Sequence, residues 1–255
     1  ALDLPAGSEI IRPSFSYAAL AEVILLMGLK PVFVEVEPDT YLIDTKKIEA
    51  LINPNTRCIA PVHLYGQFAN MDEVLALAST HKLKVVEDTA QAIGAKYTGK
   101  SGTTMSAGTM GDIGTTSFFP SKNLGCFGDG GALFTNNDEL ANRIKMIANH
   151  GQSQKYVHTV IGLNSRLDTL QAAVLLVKLK ELNAFAEARN TVANFYDKEL
   201  TGLPLSTPKR AANSSHVFHQ YTLSLHDAAQ RDDLKNYLAQ HEVPSMIYYP
   251  IALHK

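Results

Sequence analysis

The sequence predicts an α/β fold in which helices cover a largely parallel sheet. From residue 10 to 135, short apolar runs of strand length alternate with segments of helical spacing, the order that crossover connections require. Beyond residue 150 that alternation gives way to two long helical stretches and a turn-rich tail. At 255 residues, with 45% hydrophobic side chains, the chain can fill one large core and a smaller second one.

The expected strands are, in order, EIIRPS (9–14), KPVFVEV (30–36), TRCIAPV (56–62), LKVVED (83–88), TTSFF (115–119) and GALFT (131–135). Between them SYAALAEVILLMG (16–28), TKKIEALI (45–52) and MDEVLALASTH (71–81) carry helical spacing. Asn70 with Glu73 three residues on forms a capping box, and Gly28 suits a helix stop. After 136–151, RLDTLQAAVLLVKLKELNAFAEARNTVANFYDKEL (166–200) reads as two helices broken around Asn183. A turn-rich stretch (201–215), a strand (216–225), a helix (230–242) and a strand (244–249) follow. The division expected is a large α/β domain over 1–165, and over 166–255 connecting helices with part of an α+β domain. The apolar YYPIAL runs almost to Lys255, so this second domain is expected to lack its last elements.

Charge narrows the function classes. With 23 basic and 25 acidic side chains, nothing asks for nucleic acid or an anionic membrane. Cys58 and Cys126 cannot make a disulfide framework and fit a reducing compartment, the cytoplasm. The apolar stretch 18–29 contains Glu22 and is too short to span a bilayer, and no targeting signal is read. No metal site is read either.

Lys122 follows Phe118, Phe119, Pro120 and Ser121, where an apolar strand ends. Desolvation there lowers an ammonium pKa and frees a nucleophilic amine suited to Schiff-base chemistry, although a lone lysine on a turn is more often solvated. Asp88 closes the run LKVVED, at the strand end where open α/β sheets bind ligands, and Gln91 lies three residues on. Such a carboxylate can keep a pyridine nitrogen protonated; it can equally cap the TAQAIGA segment, and the two roles are compatible. Ser117, five residues before Lys122, offers a hydroxyl for a phosphate or for a local turn. Glycines 125, 128, 130 and 131 permit close backbone approach, but neither they nor GTMGDIG (108–114) match a P-loop or a dinucleotide site.

VVEDTAQAIGA (85–95), TSFFPSKNLGCFGDGGALFTNNDELA (116–141), HGQSQKYVHTVIGLNSRLDTLQAA (150–173) and PVHLYGQ (61–67) together resemble the DegT/DnrJ/EryC1/StrS aminotransferases over nearly the whole chain. Within that family, FFPSKNLGCFGDGGA and GLNSRLDTLQAA look most like enzymes that aminate C3 of a UDP-linked 3-keto-N-acetylglucosaminuronate. The resemblance implies a type I, aspartate aminotransferase-like fold and pyridoxal 5'-phosphate as cofactor. It implies Lys122 as the lysine that holds the cofactor, Asp88 at its ring nitrogen, Gln91 at its 3-hydroxyl side and Ser117 at its phosphate. Tyr17 falls where the family stacks an aromatic ring on the cofactor, and Asn164 matches an asparagine that reaches the neighbouring subunit's phosphate, which implies a homodimer. Arg166, Tyr248 and Tyr249 are candidates for the sugar acid, Arg166 because guanidinium grips carboxylate in two places. Glutamate as donor, a nucleotide-linked keto-sugar as acceptor and a role in cell-surface polysaccharide complete the expectation. The alternatives are a regulatory cofactor-binding member and a sugar dehydratase, in whose group histidine replaces the lysine. The chain begins at ALDLPAGSEIIRP without the glycine–threonine loop that family members carry before it, and so resembles a fragment of the family fold.

Overall fold

The computed structural model describes residues 1–255. Six segments rich in β-branched and apolar residues form its central sheet: β1 (Glu9–Pro13), β2 (Lys30–Val34), β3 (Thr56–Ile59), β4 (Lys84–Asp88), β7 (Ile113–Ser117) and β8 (Gly131–Phe134). A hairpin of β5 (Lys96–Thr98) and β6 (Thr104–Ser106) lies apart from it. The sheet order is β2-β1-β3-β4-β7-β8; all pairings are parallel except β7 with β8, which is antiparallel.

Side chains alternate between faces, and each face meets a helix. Ile11, Val34, Ile59 and Val85 join Met71, Val74 and Ala78 of α2 (Met71–His81) in the main core. Ile10, Cys58 and Ala60 meet Ile24 of α1 (Ala19–Leu26), with Val86 against them. Arg12 and Asp88, each two residues beyond a member of this second set, share the α1 face at the C-terminal ends of their strands. That geometry places the site.

Local chemistry sets the element ends. Asn70 accepts the Glu73 N–H at 3.4 Å and starts α2, as the capping pair predicts, while Lys82 stops it in the left-handed region. Gly28, at φ +69°, follows the end of α1. The helix expected over 45–52 is instead two 3₁₀ turns, Thr45–Lys47 and Glu49–Leu51. Asp44 accepts the Lys46 N–H at 3.2 Å, and a segment this short does not repay helix nucleation. β7 begins two residues earlier than expected because Ile113 and Gly114 pair with Val86 and Glu87, so Phe118 and Phe119 belong to the following turn.

Further on lie α3 (Asp138–Ala148), a small hairpin of β9 (Gln152–Gln154) and β10 (Val157–His158), α4 (Thr169–Leu179), α5 (Leu182–Glu199) and α6 (Ala228–Gln240). The helix pair breaks before Asn183, which sits inside α5. The strands expected over 216–225 and 244–249 do not form. Backbone donors there go to other partners: Val217 N–H to Gly66 O at 2.8 Å and His219 N–H to Tyr65 O at 2.9 Å. Apolar alternation alone makes no strand without a neighbouring edge. No helix is long and apolar enough to cross a membrane, and no three His, Cys, Asp or Glu side chains converge on a metal site.

Candidate active site

β4 ends in two carboxylates with opposite duties. Glu87, fully buried on the α2 side, accepts from His63 Nε2 at 3.0 Å and from the amides of Gly108 (3.2 Å), Met110 (2.7 Å) and Gly111 (2.6 Å). His63 Nδ1 accepts the Ala69 N–H at 3.2 Å, which puts its proton on Nε2. Burial pushes the Glu87 carboxyl up, but His63 and the amides outweigh it and hold the group below the usual range. The GTMGDIG loop therefore cradles a carboxylate of its own chain. A Cβ on Gly111 would lie 2.8 Å from Val85 O, so only glycine lets the loop come this close.

Asp88 faces the other way. Its amide donates to Pro61 O (2.9 Å), its carbonyl accepts from His63 N (3.0 Å), and Oδ1 accepts the Ala90 N–H at 3.0 Å. The cap-like bond thus forms, although 90–94 is a turn rather than a helix. A carboxylate has lone pairs to spare beyond this one bond, so capping leaves it able to serve a ligand.

Lys122 is delivered by the turn after β7. Ser117 Oγ accepts the Phe119 N–H at 3.2 Å, Lys122 N–H donates to Phe119 O at 2.8 Å, and Asn123 Nδ2 donates to Val217 O at 2.9 Å. A Cβ on Gly125 would stand 2.4 Å from Pro120 O, so the tight turn depends on that glycine. The Lys122 side chain is half-buried. Burial lowers its pKa, and Asp88 is the charge that works against the shift. It lines a cavity of about 700 Å³ with Arg189, His219 and Tyr221. His219 is pushed down to about 3, first by burial and then by Lys122 and Arg189, and stays neutral.

Gln91, also buried, accepts the Tyr65 N–H at 2.7 Å through Oε1 and donates to Tyr249 Oη at 3.2 Å through Nε2. Tyr65 Oη in turn donates to Tyr248 O at 2.7 Å. The exposed Tyr17 ring lies 6.5 Å from that of Tyr249, whose hydroxyl is pushed up to about 12 by burial above all, with Asp88 contributing. Asp88 thus acts on both Lys122 and Tyr249, and the predicted residues Lys122, Asp88, Gln91, Tyr17, Tyr248 and Tyr249 form one neighbourhood. Asn164 and Arg166 do not join it. They are exposed and bound to each other, Arg166 Nε donating to Asn164 Oδ1 at 2.9 Å. The sequence reading missed Glu87, His63 and Arg12; the signals present were Arg12 within the apolar run IIRP and Glu87 beside Asp88 at the end of LKVVED, and none marked His63.

This donor set fits pyridoxal phosphate. Lys122, with its lowered pKa, would offer an amine to the aldehyde, Asp88 a carboxylate to the ring nitrogen, and Ser117, on the same face of the sheet as Asp88, a hydroxyl to the phosphate.

Comparison with known proteins decides the family. The model of the DegT/DnrJ/EryC1/StrS aminotransferase family matches residues 1–255. The chain belongs to that family. It is 46% identical over 255 residues to UDP-2-acetamido-2-deoxy-3-oxo-D-glucuronate aminotransferase of Pseudomonas aeruginosa, covering 100% of this chain and 69% of that protein. It is equally 46% identical over 251 residues to a pleiotropic regulatory protein of Geobacillus stearothermophilus, covering 97% of this chain and 65% of that one. The crystal structure of Streptomyces venezuelae DesV in complex with a ketimine intermediate superposes with a TM-score of 0.93 at 40% identity, over 99% of this chain and 66% of DesV. The chain spans about two thirds of the length of these relatives. The α/β fold expected from the sequence is the fold of this aminotransferase family, with Asp88 and the Lys122 turn at the strand ends where open α/β sheets place their ligands.

Proposed function

We propose that this chain forms the cofactor-binding part of a pyridoxal phosphate-dependent aminotransferase that moves an amino group from glutamate to a nucleotide-linked keto-sugar. The observation that carries the reading is Lys122: a half-buried amine of lowered pKa, opposed by Asp88, on a turn that glycine alone can close. The bound cofactor would supply an electron sink for a substrate carbanion. Asp88 holds the ring nitrogen's proton by a charge-assisted hydrogen bond. The neutral amine of Lys122 is the base that would take the proton from the donor's α-carbon and, with the keto-sugar, the acid that would deliver one to the substrate carbon. Gln91 orients the 3-hydroxyl side, and Tyr17 covers one face of the ring. Ser117 holds the phosphate, together with Asn164 of a second subunit in a homodimer.

The 46% identity to the Pseudomonas enzyme favours a UDP-linked 3-keto uronate as acceptor, with Arg166, Tyr248 and Tyr249 toward the sugar acid and the product destined for cell-surface polysaccharide. We place the reaction in the cytoplasm, in keeping with two unpaired cysteines, and read 166–255 as a second structural unit. A purely regulatory role, suggested by the name of the Geobacillus relative, leaves the perturbed lysine without a purpose. A dehydratase would carry histidine in its place.

The test uses the full-length protein loaded with pyridoxal phosphate. Borohydride should abolish the visible absorption of the lysine-bound cofactor and fix the label on Lys122, and glutamate should then fail to support amino transfer to a UDP-keto-sugar. A label on Lys145, or no label, sinks the assignment.

A further inference from the structure

Arg12 is fully buried on the α1 face, yet no carboxylate bonds to it. A guanidinium keeps its charge inside a protein, so burial without a paired anion is costly unless its hydrogen bonds serve a purpose. Burial lowers its pKa only to about 10, with Asp88 opposing the shift. Its hydrogen bonds go to neutral oxygens in one short stretch: Nε donates to Pro13 O at 3.2 Å, and Nη2 to Ser16 Oγ and to Tyr17 O at 3.4 Å. Ser16 Oγ also donates to Tyr17 O at 3.3 Å. Nη1 has no partner, and the Phe33 ring lies 5.8 Å from the guanidinium carbon.

The acceptors all belong to residues 13–17, which link β1 to α1. Elsewhere, only the start of that loop is hydrogen-bonded, with Ser14 N–H donating to Val34 O at 2.8 Å and Leu253 N–H to Ser14 O at 3.0 Å, and the Phe15 ring packs against Tyr41 and Tyr249. Past Ser14, Arg12 supplies the hydrogen bonds that reach the loop from outside it. What it tethers faces the site: the Phe15 ring lies 5.6 Å and the Tyr17 ring 6.5 Å from Tyr249, the residue bonded to Gln91.

We propose that Arg12 is a positioning residue whose buried fork gathers the β1–α1 loop and so fixes Tyr17 over the cofactor's place. The proposal rests on the pyridoxal phosphate reading of the site. The fork matters because planar guanidinium can bond Pro13, Ser16 and Tyr17 at once, which no other side chain reaches from this strand position.

Two measurements on the full-length protein test it. In cofactor-free protein, Arg12→Met should lower the NMR order parameters of the amides at 15–18 from rigid values of about 0.85 to below about 0.6, while β3 and β4 keep theirs. In titrations with pyridoxal phosphate, Arg12→Met should weaken binding by about tenfold, and that loss should shrink to less than about twofold in a Tyr17→Ala background, because the two act through one contact. Should Arg12→Met not fold, Ser16→Ala removes one acceptor and should give the same pattern more weakly. Unchanged order parameters at 15–18, or equal affinity losses with and without the Tyr17 ring, overturn the proposal. A wild-type protein that binds no pyridoxal phosphate overturns the cofactor reading instead, and the order parameters still decide whether Arg12 holds the loop.

Discussion

At the scale of single residues, the pairing of Lys122 with Asp88 makes opposite demands on one site. Burial favours the neutral amine that can move protons, and the nearby carboxylate favours the ammonium. Removing the carboxylate should therefore lower the Lys122 pKa further. In cofactor-free protein, labelling of Lys122 by an amine-specific reagent should rise with pH and reach half its plateau below the ordinary lysine value of 10.5, and Asp88→Asn should move that rise to lower pH. A rise unmoved by Asp88→Asn means the two charges do not meet. With cofactor bound, Asp88→Asn should still hold pyridoxal phosphate but cut turnover on the order of a hundredfold, since a neutral amide holds the ring proton poorly. Near-normal turnover would leave Asp88 as a turn cap only. Lys122 alone read as a solvated turn lysine, and it was Asp88, Gln91 and Ser117 in family order that singled it out. Arg12 was not legible, since its value lies in where its fork ends, which no pattern in IIRP reveals.

At the scale of elements, the Glu87–His63 clamp fixes the end of β4 and hence the direction of Asp88. Glu87→Gln would turn two amide hydrogens toward backbone N–H donors in a buried site. The expected cost is about 3 kcal/mol of stability by chemical denaturation, because the one remaining oxygen can keep one pair of these four donors and the other pair is left facing the amide hydrogens. A change below about 1 kcal/mol would show that the clamp is slack. Acid stability follows from the other histidines. His216 and His219 are pushed down to about 3 by burial, whereas in the unfolded chain they bind protons near 6.5. Between those values the unfolded state binds more protons, so stability is present above pH 6.5 and is lost as pH falls toward 3. His219→Gln should flatten that slope by about one proton, or about 1.4 kcal/mol per pH unit, in a denaturation series across this range. Helix ends with side-chain caps, such as Asn70, were readable because their chemistry is local. The strands expected at 216–225 and 244–249 were not, because a strand is defined by the partner it finds, and Val217 and His219 find the 64–66 turn instead.

At the scale of the whole molecule, the single chain leaves the segment 161–170 exposed and apart from its candidate site. Asn164 and Arg166 stand exposed, and around them Ile161, Leu163, Leu167 and Leu170 are solvent-facing as well. Sequence order placed GLNSRLD with the site only through its resemblance to relatives, since periodicity says nothing about a second copy. If a neighbouring subunit brings Asn164 to the phosphate, a two-fold contact gives each copy the other's asparagine. Full-length Lys122→Ala and Asn164→Ala proteins, each inactive or weak alone, separate the possibilities when mixed under conditions that allow subunit exchange. In the mixed dimer both lesions fall in one site and the other site is intact. Half of the randomly re-formed dimers are mixed, each with one of two sites working, so activity should return to about a quarter of wild type. If Asn164 serves its own chain, every site carries one lesion and nothing returns, even though exchange is complete and the dimers are stable.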